Sequence, residues 1–161
     1  MKTINVELVS KTYPIWIKDG ILNKLSDLLS PFNNLQKWIL FSQENIINQY
    51  SDLINNLIND SKIDIEIIQL PEGENAKSID QLKNIYSQLV QFGCNRTSTF
   101  IAFGGGVVGD VTGYVAASFM RGVDYIQIPT SLLAMVDSSI GGKTGVNLSE
   151  GKNLVGSIWQ P

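Results

Sequence analysis

The sequence predicts an α/β fold: an open, largely parallel sheet flanked by helices and preceded by a β-hairpin. Three observations carry that reading. Short apolar runs alternate along the chain with segments whose apolar residues recur at helical spacing, the pattern of strands joined by crossover helices. One run, Ser98 to Phe103 (STFIAF), is apolar without alternation, as in a strand covered on both faces. It leads into the glycine-rich stretch Gly104 to Asp110 (GGGVVGD) and then a small-residue helix pattern.

Residues 4 to 8 and 13 to 17 alternate about a short polar link, VSKT, and predict an edge hairpin in which Pro14 is tolerated. Ile21, Leu22, Leu25, Leu28 and Leu29 fall on one helical face, and Ser30-Pro31 closes that segment. Trp38 to Phe41 predicts a short buried strand, and Glu44 to Ile58 a helix. A strand from Ile63 to Leu70, the loop PEGENAKS and a helix from Ile79 to Phe92 come next. After the strand at 98 to 103 and its glycine turn, a helix is expected from Val108 to Ser118. A strand from Tyr125 to Ile128 and a helix opened by Pro129-Thr130-Ser131 follow. Beyond Ser138 glycines dominate and periodicity is lost, so this stretch reads as irregular, leading into a further domain.

The 161 residues, 43% hydrophobic and 17% charged, suffice for one domain with a substantial core. A formal charge of −3 argues against nucleic acid or an anionic membrane as the main partner, though it leaves a local basic pocket possible. The lone Cys94 can form no internal disulfide and reads as a small residue in a turn. The start MKTINVELVS has no basic-then-apolar targeting pattern, and no apolar run approaches the roughly 20 residues of a membrane helix. The cytoplasm is the expected location.

Gly104, Gly106 and Gly109 satisfy G-x-G-x-x-G between a strand and a helix, where glycines let the backbone approach a phosphate and free helix amides face it. The turn follows a late strand rather than the first, so a tight helix–sheet contact is the competing reading. Asp110 would also suit a helix dipole as a first-turn acid. Glu72, Glu74 and Lys77 sit in PEGENAKS at a strand's carboxyl end, as ligand residues or as a solvated loop. Thr130 and Ser131 can cap a helix or hold a phosphate. Arg121, Lys143, Lys152 and Asn153, with Asp137, concentrate anion-reading groups among glycines.

Three blocks, GGGVVGDVTGYVAASFMRG, IPTSLLAMVDSSIGGKTGVN and GKNLVGSIWQP, together with PEGENAKS, resemble the N-terminal, NAD-binding domain of the 3-dehydroquinate synthase family. The resemblance implies a Rossmann-like domain spanning residues 1 to 161. It also implies a cofactor cradle of Gly104, Gly105, Gly106, Val107, Val108, Gly109 and Asp110, aided by Asn45, Glu74, Lys77, Thr130 and Ser131. Gln43 stands where the family commonly has an aspartate, a departure on the adenosine side. Asp137, Lys143, Lys152 and Asn153 are implied to read the sugar acid, with both lysines also bordering the cofactor. Arg121 is implied to reach the substrate phosphate of a neighbouring subunit in a homodimer. The implied reaction turns 3-deoxy-D-arabino-heptulosonate 7-phosphate into 3-dehydroquinate and phosphate, a lyase step of the shikimate pathway in which NAD is regenerated.

The family's divalent metal, zinc or cobalt, is held by a glutamate and two histidines of a C-terminal helical domain; this chain has no histidine. On its own it is therefore expected to bind zinc poorly, to bind NAD weakly and not to turn over. Other readings left open are a sibling sugar-phosphate cyclase (a 2-deoxy-scyllo-inosose or valiolone-type synthase), a polyol dehydrogenase and a non-catalytic nucleotide-binding module.

Overall fold

The computed structural model describes residues 1–9, 11–32, 37–60 and 64–161, with the side chain of residue 60 left out. The first hairpin pairs β1 (Lys2–Glu7) with β2 (Thr12–Ile17), antiparallel, with Pro14 opposite Asn5. A 3₁₀ turn over Ile21–Lys24 runs into the short helix α1 (Leu25–Leu29), and a second 3₁₀ turn, Ser30–Phe32, carries the chain through Pro31. The predicted helix is thus split, and the proline does not end the helical path, because a short terminal turn can dispense with its amide.

Four parallel strands form the central sheet: β3 (Trp38–Gln43), β4 (Ile65–Leu70), β5 (Thr99–Gly104) and β6 (Asp124–Pro129), in the order β4-β3-β5-β6. Ile63, the expected start of β4, and Ser10 of the hairpin link lie outside the described residues. Side-chain alternation sorts each central strand between two cores. Ile39 and Phe41 of β3, with Phe100 and Ala102 of β5, face α4 (Ile79–Gln91) and α5 (Gly106–Ser118). Trp38 and Leu40, with Ile101 and Phe103, face α1 and α3 (Ser51–Asp60). Burial on both faces explains why β5 reads as a continuous apolar run.

The helix expected from Glu44 to Ile58 divides into α2 (Glu44–Gln49) and α3 at Tyr50, whose backbone leaves helical values at φ −113, ψ 26. The break seats the Tyr50 ring edge-on to Phe103, with centroids 5.3 Å apart. The helix expected after Pro129 is short: Leu132 and Leu133 lead into a π-helical turn over Ala134–Ser138. Ala134 alone of that turn is buried, so nothing anchors a longer helix to the core.

The clearest departure from expectation is the glycine-rich end. It is not irregular: β7 (Lys143–Leu148) and β8 (Gly151–Ile158) form an antiparallel hairpin packed on α5. Gly145 and Gly156 pair across it, and a Cβ on either would meet opposing backbone, at 2.8 Å from the Val155 carbonyl oxygen or 2.5 Å from that of Thr144. These glycines mark a close approach of two strands.

Among the described residues, no helix is long and apolar enough to cross a membrane.

Candidate functional site

The order β4-β3-β5-β6 makes the sheet change winding direction between β3 and β5, because the chain leaves β3 on one side for β4 and returns to the other for β5. In open α/β sheets ligands bind outside the carboxyl ends of the strands at such a switch point. Here that crevice is flanked by Gln43, the last residue of β3, and by the glycine turn that ends β5. Directly beneath, the buried Ser42 hydroxyl donates to the Phe103 carbonyl at 2.7 Å and ties the two strands together.

α5 begins at Gly106, two residues earlier than expected, with Gly105 as an N-cap that has no side-chain bond. The first helical bond runs from the Gly109 amide to the Gly105 carbonyl, 3.1 Å, so the amides of Gly106, Val107 and Val108 are the helix's unsatisfied leading donors. Three leading amides of a helix that opens on glycines are donors suited to a dinucleotide phosphate group. The reading as a tight contact also holds, at the turn itself, where a Cβ on Gly104 would lie 2.6 Å from Val108 Cγ2, and further along the helix, where one on Gly109 would lie 2.8 Å from Gln127 Oε1. The Thr130 amide donates to the Gly104 carbonyl at 2.9 Å, and Ser131 Oγ, which accepts weakly from the Ala134 amide at 3.3 Å, borders Gly105. Ser131 is thus a cap, beside the turn rather than across it.

Residues from three distant stretches meet at the second turn of α5: because the helix starts at Gly106, Asp110 lies beyond the first turn and is not the first-turn acid expected. The Lys77 ammonium, its side chain only 3% exposed, donates to Asp110 Oδ2 at 2.7 Å and to the Asn153 side-chain oxygen. Burial raises the Asp110 carboxyl above its ordinary value, a shift that the Lys77 hydrogen bond and charge oppose. Glu74, exposed on the 3₁₀ turn Gly73–Ala76, accepts from Asn147 Nδ2 at 2.7 Å, and that bond, helped by Lys77 and Lys152, holds its carboxyl below the usual value. Asn147 also donates its amide to the Lys77 carbonyl, 2.7 Å, and accepts the Asn153 amide at 2.9 Å. Asn153 stands in the left-handed region at φ 55. A cleft of about 560 Å³ opens beside this network, lined among others by Glu74, Lys77, Asp80 and Asn147.

Glu74, Lys77, Asp110, Lys152 and Asn153 therefore come together, with Asp137 close enough to act on Asp110 through its charge. Lys143, exposed, opens β7, and Asn45 lies exposed in the first turn of α2 beside the crevice. Gln43 donates Nε2 to the Pro71 carbonyl at 2.9 Å, joining the ends of β3 and β4. Arg121 stands apart. It follows the far end of α5, about 20 Å from the glycine turn for a helix of 13 residues. Asn147 went unnoticed in the sequence: a neutral amide at the end of a glycine block carries no charge signal. Among the described residues no group of three or more His, Cys, Asp or Glu could hold a metal ion.

Residues 67–161 match the family model described as 3-dehydroquinate synthase N-terminal. A curated 3-dehydroquinate synthase from Clostridium acetobutylicum is 44% identical over 161 residues, all of this chain and 45% of the relative. The chain thus spans about half the length of the curated relatives it matches. A solved 2-deoxy-scyllo-inosose synthase, in complex with carbaglucose-6-phosphate, NAD+ and Co2+, superposes with a TM-score of 0.84 at 26% identity, over 99% of this chain and 43% of the other. The 2-epi-5-epi-valiolone synthase of Streptomyces hygroscopicus, with NAD+ and Zn2+ bound, gives 0.81 at 26% identity, over 96% of this chain and 42% of the other. With the family model matched over residues 67–161 and the relatives matched over the whole chain, the chain belongs to the 3-dehydroquinate synthase family.

Proposed function

We propose that this chain supplies the NAD site and part of the phosphosugar-acid site of a 3-dehydroquinate synthase, which forms 3-dehydroquinate and phosphate from 3-deoxy-D-arabino-heptulosonate 7-phosphate. The observation that carries this reading is the meeting of the uncapped start of α5 with Glu74, Lys77, Asp110, Lys152 and Asn153 at the carboxyl ends of the strands. The higher identity to the synthases than to the inosose and valiolone synthases favours this reaction over theirs. NAD, when bound, would supply a hydride acceptor that is regenerated within the cycle; the described residues offer no fitting site for the zinc or cobalt ion that would act as a Lewis acid.

The chain's own residues bind and orient. The leading amides Gly106 to Val108 take the pyrophosphate, with Gly104, Gly105, Gly109, Thr130 and Ser131 shaping the backbone around it. Glu74, kept ionised by Asn147, accepts from a ribose hydroxyl. Lys77 spends its charge inside the protein, holding Asp110 and Asn153 in place. Lys143, Lys152 and Asn153 read the carboxylate and hydroxyls of the sugar acid, with Asp137 as an acceptor. Arg121, exposed and remote from its own glycine turn, reaches the phosphate bound by a neighbouring subunit, which makes the working enzyme a homodimer acting in the cytoplasm.

The test is an amide-shift NMR titration of the 161-residue chain with NAD. Weak, saturable shifts centred on Gly104 to Asp110 and on Glu74 are expected. Shifts absent from those residues would overturn the cofactor reading.

A further inference from the structure

We propose that Asn147 is a positioning residue that sets the cofactor loop and the anion-reading end of β8 against each other; this rests on the cofactor reading above. Three bonds meet on it: Nδ2 to Glu74 Oε2, the amide to the Lys77 carbonyl, and Oδ1 from the Asn153 amide, at 2.7, 2.7 and 2.9 Å. Its side chain thus donates to one element and accepts from another, a pairing that Ala and Leu cannot make and that ionised Asp can only half make. The register shift of the β7–β8 ladder between Val146 and Leu148 falls on Asn147, and such irregularities re-aim a side chain.

The partners matter because they are themselves linked. Lys77 Nζ donates to the Asn153 side chain, so Asn147, Lys77 and Asn153 close a ring of contacts that joins loop to strand. Within that ring Asn153 is held at φ 55, which an asparagine tolerates but a strand does not supply. The ring fixes where the Asn153 side chain and the neighbouring Lys152 sit relative to the Glu74 carboxylate. Charged groups facing Asn147 or its partners are Glu74 and Lys77 from the loop, Asp80 from the start of α4, Asp110 from α5 and Lys152 from β8.

Two variants of the 161-residue chain test the role, with NAD as the probe and NMR titration below the unfolding transition as the readout. Asn147→Ala is expected to weaken NAD about tenfold and to move Asn153 out of its left-handed conformation, read from its amide and Cα shifts. Asn147→Asp keeps the acceptor for Asn153 but sets a second carboxylate against Glu74, so the two share protons and titrate as a pair. Its affinity relative to wild type at the same pH is expected to be low at neutral pH and to recover to about twofold on acidification, when the protonated carboxyl donates again. An Asn147→Ala affinity within about twofold of wild type, or an Asn147→Asp deficit that ignores pH, would overturn the inference alone. Should Asn147→Ala not fold, the pH series on Asn147→Asp decides. Wild-type chain with no NAD-dependent shift would overturn the cofactor reading and this inference with it.

Discussion

Lys77 shows what a buried cation does at the scale of one residue. With Asp110 as its partner it offsets the burial of that carboxylate, and without it the acid would be left largely desolvated and unpaired. Lys77→Met is therefore expected to cost about 2–3 kcal/mol at neutral pH, discounted because Asp110 keeps some solvent access. The sign with pH follows from the direction of the shift. The Asp110 carboxyl is raised in the folded state, so its contribution is fully present below the unfolded value of 3.8 and lost as pH rises through the folded one. Removing Lys77 raises it further, so the variant's deficit should shrink on acidification as Asp110 takes a proton. Urea unfolding of both proteins across mildly acidic pH checks this; a deficit that grows on acidification would contradict it. Glu74 acts oppositely, its lowered carboxyl giving stability above its unfolded value of 4.5 that is lost as pH falls through the folded one. The types of these residues were legible in the sequence, and so was their crowding into a few glycine-containing stretches. That Lys77 turns its charge inward was not, since its partners lie 33 and 76 residues away.

The glycines of α5 and of the final hairpin divide by what lies opposite them, a distinction that belongs to whole elements. A Cβ on Gly113 would strike the Thr144 methyl and lie 3.2 Å from the Tyr125 hydroxyl, and both neighbours are fixed, Thr144 by Ser157 and Tyr125 by Trp159. A Cβ on Gly109 meets only the end of the Gln127 side chain. Gly113→Ala should thus cost about 2–3 kcal/mol even after the better helix propensity of alanine, and Gly109→Ala less than about 1 kcal/mol. Denaturant midpoints of the two variants give the comparison, and equal losses would show that α5 is free to shift on β7. The same contact explains why the hairpin escaped the sequence reading. Thr144 and Val146 do alternate inward with Gly145 between them, but glycine is the commonest signal for a loop, and only the opposing strand shows it to be a spacer.

At the scale of the molecule, the parallel sheet and its glycine turn were legible because each strand carries its own apolar signal. Strand order was not, since β3 and β5, paired from Trp38 opposite Thr99 to Phe41 opposite Ala102, lie far apart in sequence and become neighbours only when α4 packs behind them. That order puts the glycine turn and the Lys77 network together at the carboxyl ends of the strands. It puts no metal-binding group there: the chain has no histidine, and among the described residues no cluster of three carboxylate, thiol or imidazole groups occurs. An ion bound by one or two carboxylates keeps its water and is poorly placed to polarise a substrate hydroxyl. Zinc or cobalt added to the 161-residue chain is therefore expected to leave its NAD titration unchanged. With substrate, NAD and either metal present, phosphate release should stay at the rate of the buffer control. A phosphate-release assay run alongside the NAD titration checks both, and metal-dependent turnover by this chain would mean that the site residues named here suffice for the chemistry without an imidazole-bound metal.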